Sequence, residues 1–550
     1  MKKFTAILLA VVMVFALGAS AFAADTTPVT TKAVDTTLSV TVDYTIEGLY
    51  FDGTTLKSSA TNGYYPFNFS FIVSDRTAVG SITVSNGGSF AWASDSEDSE
   101  TESTTTTYGL VTLPTTSAST VTVTSKSGGT LTISCAQPNG GTTAAGTALY
   151  AYLPAPAQFV NEGVTTGGWG DAYDSNGAVK ATGSTGVSLG FFGGYAVYEF
   201  ENPIADDPTH PYGADFIVYG NAFWNNSEAG CIQVSKDGTT WYDIAGSMYY
   251  TKSTKGATIT YTNPNPSEDK GITAAASNKG TLADVPYALT VNGTTTSGTV
   301  TKNTFHNHSW FPLNANYFVD SGTRKEMAKV DEFSFVSRTL NSDNITSTLT
   351  FKGTLLTDYP GTGKTDQIGF GYCDVHPNRT LGSTIAYNPY QTFTSSSDYN
   401  TKTEGTGGGD PIDIAWAVDS KGAPANLSSV KYVRIYTGMA QMNGIFGEIS
   451  TEVCGVAACT GSTTETAATP TITVGTSTVT TTNGGIKSVS MLSGTCTVNV
   501  SGTGYVYING VATTSATFTP TSAGTKVQII VQNGEAAPYV TWLNLKTGRA

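Results

Sequence analysis

From Gly193 to Ile244 the chain carries three strand-length apolar runs parted by turns: GGYAVYEFENPI, then YGADFIVYGNAFWN, then GCIQVSKDGTTWYDI. Asp237-Gly238 is a tight-turn pair, because both residues tolerate positive φ. Trp241-Tyr242 then opens the return strand. Helical periodicity is nearly absent here and elsewhere. This pattern admits an all-β fold and little else. The run holds no catalytic triad, phosphate loop or cofactor fingerprint, so a binding or display module is expected before an enzyme.

At 550 residues the chain exceeds one ordinary domain, and about three are expected. Residues 1–23 form a secretory signal: basic Lys2 and Lys3, apolar Ala6 to Leu17, and the small-x-small site Ala21-Phe22-Ala23. The apolar part is short for a membrane span, and no second segment is apolar enough to be one. A secreted or bacterial cell-surface location follows, with no transmembrane segment after cleavage. Residues 24–148 hold short alternating runs such as LSVTVDYTI and TVTVTS, expected to form an N-terminal β-sandwich; the acidic SDSEDSETESTTTT inside them is expected to be a solvated loop. Residues 149–460 are rich in aromatics and glycine and are expected to form a jelly-roll-like sandwich with long loops, Lys252 to Lys302 and Tyr387 to Gly409 counted among the insertions. Residues 461–550 comprise a Thr-rich linker and a small Ig-like sandwich.

Charge narrows the partners. Without Lys2 and Lys3 there are 26 basic against 42 acidic side chains, a net −16. That disfavours nucleic acid and anionic membrane, which need a basic face. An extracellular glycan or envelope component is the expected partner. The six cysteines are too few for a disulfide scaffold in so long a chain; Cys454 and Cys459 are close enough in sequence to pair, and Cys231 is expected to be a buried thiol. Gly361-Thr362-Gly363-Lys364-Thr365 mimics part of a phosphate loop, but Asp358 stands where glycine is needed, which argues against nucleotide binding.

The central unit resembles a group of uncharacterised bacterial cell-surface proteins. The likeness rests on the Pro-rich entry Tyr152 to Phe159, the GxDFIVYGNAF strand Gly213 to Phe223, the VSxDGxTWY turn Val234 to Tyr242 and the closing GExSTE segment Gly447 to Glu452. It covers about 300 residues, Tyr150 to Ala457. It implies a surface location and a jelly-roll-like fold in the style of discoidin and carbohydrate-binding modules, and no known activity.

Two sets of candidate site residues stand out. Trp169, Asp171 and Tyr173 lie in TTGGWGDAYDSNG, and Trp224, Asn225 and Asn226 in NAFWNNSE. A ring in such a polar loop stacks on a sugar face while neighbouring polar groups bind hydroxyls; the plainer alternative is a ring folded over the sandwich end. Asp410, Asp413 and Glu448 stand beside apolar residues, where a lone carboxylate is costly to bury. Structural calcium would offset that cost; N-capping, turn formation or pairing with Arg434 are the ordinary alternatives. His306 and His308, with Cys373, Asp374 and His376, form a weaker metal pattern. No residue is assigned a catalytic role. A carbohydrate-active enzyme, using Asp171 with Glu228 or Asp413 with Glu448, and a structural envelope protein are the alternative readings.

Overall fold

The computed structural model describes residues 30–548 except 44–48, 53–54, 59–67, 87, 93–106, 113–118, 136–146, 161–186, 221, 223–226, 267–283, 304–305, 307–308, 313–317, 320–332, 343–344, 358–367, 377–384, 386, 392, 394–408, 445–446 and 492–493. Among these residues the chain is almost entirely strand, with short 3-10 turns. The all-β expectation holds. The chain divides into two compact units, Met1–Thr142 and Thr143–Ala550.

The first unit is a pair of five-stranded sheets. Its core is made by strict alternation. In Ser119–Ser125, STVTVTS, every other residue is buried, so Val121 and Val123 face inward with Val40, Val73, Val111 and Ile133. β-branched side chains suit this half-buried surface. The acidic stretch of this unit, 94–106, lies outside the described residues.

The second unit is organised by a seven-stranded sheet. Its order is Phe318–Val319, Thr147–Leu153, Tyr195–Ala205, Ser429–Thr437, Gly230–Ser235, Tyr242–Ile244, Ala417–Val418. Both faces are covered. Tyr195, Val197 and Tyr436 pack on one side with Tyr261 and Phe351; Ala196, Tyr198 and Ile435 pack on the other with Phe216, Trp416 and Trp542. A sheet buried twice needs continuous apolar strands instead of alternating ones, which is why YAVY, Tyr195 to Tyr198, reads as an unbroken run. On the first side lies a five-stranded sheet: Thr294–Val300, Val285–Val291, Ser253–Thr262, Thr346–Leu356, Val336–Leu340. Much of the stretch expected as the insertion Lys252 to Lys302 is therefore core architecture. Its strands are hydroxyl-rich on one face and bury Ala257, Ile259 and Tyr261 on the other.

The C-terminal sandwich expected to be Ig-like, a four-stranded and a five-stranded sheet, is joined to this body. Tyr507, Ile530, Val540 and Trp542 belong to the same apolar cluster as Phe370, Tyr390 and Trp416. The Trp542 indole N–H donates to the Tyr250 hydroxyl at 2.9 Å, and the Tyr507 hydroxyl to the Tyr390 carbonyl at 2.6 Å. The turn at Asn509-Gly510 presses so closely on Ser247 that a Cβ on Gly510 would collide with its carbonyl oxygen.

Arg434 is fully buried in the seven-stranded sheet, 3.6 Å from the Phe335 ring centroid and 4.1 Å from that of Tyr436. Its Nη1 donates to Gln233 Oε1 at 2.7 Å, and Gln233 Nε2 donates to Asp243 Oδ1 at 2.7 Å. Gln233 thus bridges Arg434 and Asp243. The described cysteines are all buried, and Cys231 is the thiol expected of its strand. Cys454 and Cys459 flank the strand Gly455–Ala458. An extended strand of that length holds them about 16 Å apart, whereas a disulfide needs Cα atoms within about 7 Å. The pairing that their sequence spacing allows is not made.

The VSxDGxTWY segment is a built turn. Asp237 Oδ1 accepts from the amides of Thr239 and Thr240, each at 2.8 Å, and Gly238 takes φ 75°. The Trp241 indole N–H closes on the Gly238 carbonyl at 3.1 Å. The bonds to Thr240 and Thr239 hold the Asp237 carboxyl below its usual range. Asp237→Ala should therefore destabilise the second unit by about 1 kcal/mol; chemical denaturation of the variant checks this.

Candidate metal centre at the loop ends

Three carboxyls meet where several strands of the second unit end. Strand Phe216–Tyr219 stops at Gly220, and Glu228 precedes strand Gly230–Ser235. Gly230 and Cys373 exchange amide-to-carbonyl bonds, both 2.9 Å, which places Asp374 beside Glu228. The Glu228 amide donates to the Asp374 carbonyl at 3.1 Å. Glu452 opens the short pairing of Glu452–Val453 with Val187–Ser188. Its amide donates to Asp374 Oδ2 at 3.0 Å, while Thr451 Oγ1 donates to the Glu228 carbonyl at 2.7 Å. One oxygen from each of Glu228, Asp374 and Glu452 lies within 4.8 Å of the others.

The backbone makes room for this arrangement. Asp374 takes φ 61°, in the left-handed region, which is strained for a residue with a Cβ. A Cβ on Gly220 would collide with Asp374 Oδ1. Glycine at 220 thus lets the carboxyl enter.

Burial raises the cost of charge here. Burial, then the neighbouring Asp374 charge, pushes the Glu228 carboxyl up to about 8. Burial and the Glu228 charge raise that of Glu452 well above the carboxylate range. The two share a hydrogen bond, so one holds a proton while the other accepts it. All three donors are hard oxygens. A calcium ion, taking about six to eight oxygens at about 2.3–2.6 Å, fits such a donor set better than a soft-ligand metal does.

The expected metal residues fall in separate settings. Asp410 accepts from His376 Nδ1 at 2.8 Å and from the Val375 amide at 3.1 Å. Glu448 accepts from the Gln158 amide at 3.2 Å, and burial pushes its carboxyl up to about 7. Asp413 caps a short 3-10 turn, accepting from the Ala415 amide at 2.7 Å. It belongs to a second set, Asp206, Asp215 and Asp413, also within 4.8 Å. In that set Asp215 accepts from the amides of Asp207 and Ile414, each at 2.9 Å, and faces His210 Nδ1 at 3.4 Å. Asp410, Asp413 and Glu448 therefore do not form one of the sets whose oxygens lie within 4.8 Å of one another. His306 packs on Phe159. Trp169, Asp171, Tyr173, Trp224, Asn225, Asn226 and His308 lie outside the described residues.

Nothing local in the sequence joins Glu228, Asp374 and Glu452 into one set. The available signal is that Gly220 and Glu452 both lie within recognisable motifs, GxDFIVYGNAF and GExSTE. No protein-family model matches the chain, and no curated protein matches it. Among the described residues, no helix is long and apolar enough to cross a membrane.

Proposed function

We propose that the chain is a secreted or cell-surface bacterial protein that binds an extracellular glycan without catalysis, its loop ends braced by calcium at Glu228, Asp374 and Glu452. One observation carries the reading: the carboxyl set lies where two candidate sugar-binding stretches are anchored. Glu228 lies just beyond Trp224, Asn225 and Asn226 in sequence. Ser188, which follows the stretch containing Trp169, Asp171 and Tyr173, pairs directly with Glu452. A cation bound there would fix the ends of both stretches, since rigid scaffolds position functional loops.

A glycan array with the mature chain from Ala24 onward tests this reading. Retention that weakens in chelator, and weakens in Trp169→Ala and Trp224→Ala by roughly 1–3 kcal/mol per ring, is expected. Retention of no glycan would favour a structural envelope role. A second reading rests on Glu228: a carboxyl still protonated near neutral pH is the state a general acid needs. Product release from a polysaccharide, lost in Glu228→Gln, would establish a carbohydrate-active enzyme instead.

A further inference from the structure

The five-stranded sheet of the second unit ends on strand Thr294–Val300, whose sheet neighbour among the described residues is Val285–Val291. Asn292-Gly293, at left-handed φ of 50° and 77°, join the two in a two-residue turn. Such a turn makes Val291 and Thr294 a hydrogen-bonded pair, and these pairs recur at every second residue. Thr294, Thr296, Gly298 and Val300 therefore bond into the sheet. Thr295, Ser297 and Thr299 turn their N–H and C=O groups to the open edge, with side chains exposed. The Thr295 and Thr290 hydroxyls lie 2.8 Å apart, as suits the closer, non-hydrogen-bonded kind of pair. Exposed edges are ordinarily blunted by charge, proline, bulges or shortness. Strand Thr294–Val300, TTTSGTV, carries no charge, proline or register shift. The other edges among the described residues are blunted. Val336–Leu340, across the same sheet, carries Arg338 and a register shift. Val79–Val84 shifts register at Gly80, Ile486–Met491 carries Lys487, and the rest have four residues or fewer.

We infer that this edge pairs with the same edge of a second copy of the chain, antiparallel about a two-fold axis at Ser297. The outward residues read Thr-x-Ser-x-Thr, the same in both directions. Under the two-fold, Ser297 meets its own symmetry mate and Thr295 meets Thr299. Each such pair exchanges two backbone bonds, so every open N–H and C=O of the three residues is satisfied on both copies. Between these pairs Thr296 falls opposite Gly298, which has no side chain to obstruct it. Thr beside Thr is a favourable cross-strand neighbour, and no like charges oppose each other on the strand. In so acidic a chain, an uncharged strip lets two copies approach without local repulsion. This self-complementarity favours a second copy over an unrelated strand. The contact is closed by its symmetry, so pairing stops at a dimer.

Sedimentation equilibrium of the mature chain from Ala24 onward, with cross-linking at the axis, tests the contact. Wild type should be dimeric. Ser297→Lys sets two ammonium groups face to face at the axis while leaving the bonds to Val285–Val291 intact, and it should shift the population to monomer. Circular dichroism of that variant should match wild type. Ser337→Lys, on the opposite edge of the sheet, should stay dimeric. Hydrogen-bonded neighbours have Cα atoms about 5.5 Å apart, within disulfide reach. Ser297→Cys should therefore link two chains in oxidised glutathione. Thr295→Cys lies too far along the strand from its own symmetry mate, and should link only when Thr299→Cys is present as well. A wild type that is monomeric at every soluble concentration, a dimer that Ser297→Lys leaves intact, or Thr295→Cys linking as readily as Ser297→Cys, would overturn the inference.

Discussion

Trp542→Ala should destabilise the second unit by about 3–5 kcal/mol, the usual cost of truncating a buried aromatic. The ring is completely buried, and its N–H is satisfied by Tyr250. Truncation empties the centre of the cluster that joins Trp416 and Phe370 to Ile530 and Val540. The Tyr250 hydroxyl also loses its donor in a buried setting. Wild type should melt the central body and the Ig-like sandwich as one transition, because they share a core. In Trp542→Ala the transition should drop sharply in temperature or split in two. Calorimetry of both proteins checks this, and an unchanged single transition would show that the seam contributes little.

The second large effect is expected at Glu228. Its folded carboxyl titrates at about 8, far above its unfolded value of 4.5. An acid raised in this way stabilises the fold below about pH 4.5, and the contribution is lost as pH rises through about 8. Calcium-free wild type should therefore lose on the order of a few kcal/mol between pH 5 and pH 9, since a tenfold difference in proton affinity between folded and unfolded chain corresponds to about 1.4 kcal/mol. Glu228→Gln carries the neutral state permanently. It should match wild type near pH 5 and exceed it at pH 9 when calcium is absent. It should also gain less from calcium, because a hard-oxygen charge is gone. Urea denaturation at the two pH values, with and without the ion, separates these outcomes. A variant less stable than wild type at both pH values would contradict the assignment.

The parts of the fold legible in the sequence were those where burial dictates residue type. The segment Tyr195 to Phe200 and much of strands Gly230–Ser235 and Ser429–Thr437 are covered on both faces, and their apolar runs show it. The opposing sheet was obscured. In Ser253–Thr262, STKGATITYT, only one face is buried, and Thr and Lys occupy the other. Short polar alternation of this kind resembles a loop until its partner strand is known. The joint core with the Ig-like sandwich was hidden for a related reason: Tyr507, Ile530 and Trp542 suit a core in either setting, and nothing local says which neighbour they meet. The carboxyl sets were half visible. A costly buried acid was foreseeable at Asp413 and Glu448 from their apolar neighbours. Which acids share a site depends on long-range pairings, Gly230 with Cys373 and Ser188 with Glu452, that no local spacing encodes.

The proposed calcium binding at Glu228, Asp374 and Glu452 is tested most directly by the melting temperature of the mature protein. It is measured at pH 8 and at pH 5, each in chelator and in millimolar calcium. A bound cation stabilises the native state by mass action and competes with the proton shared between Glu228 and Glu452. The expected result is a calcium-dependent rise of several degrees at pH 8, a much smaller rise at pH 5, and a reduced rise in Glu228→Gln. A melting temperature insensitive to calcium at pH 8, or a rise retained in full by Glu228→Gln, would contradict calcium binding at these carboxyls.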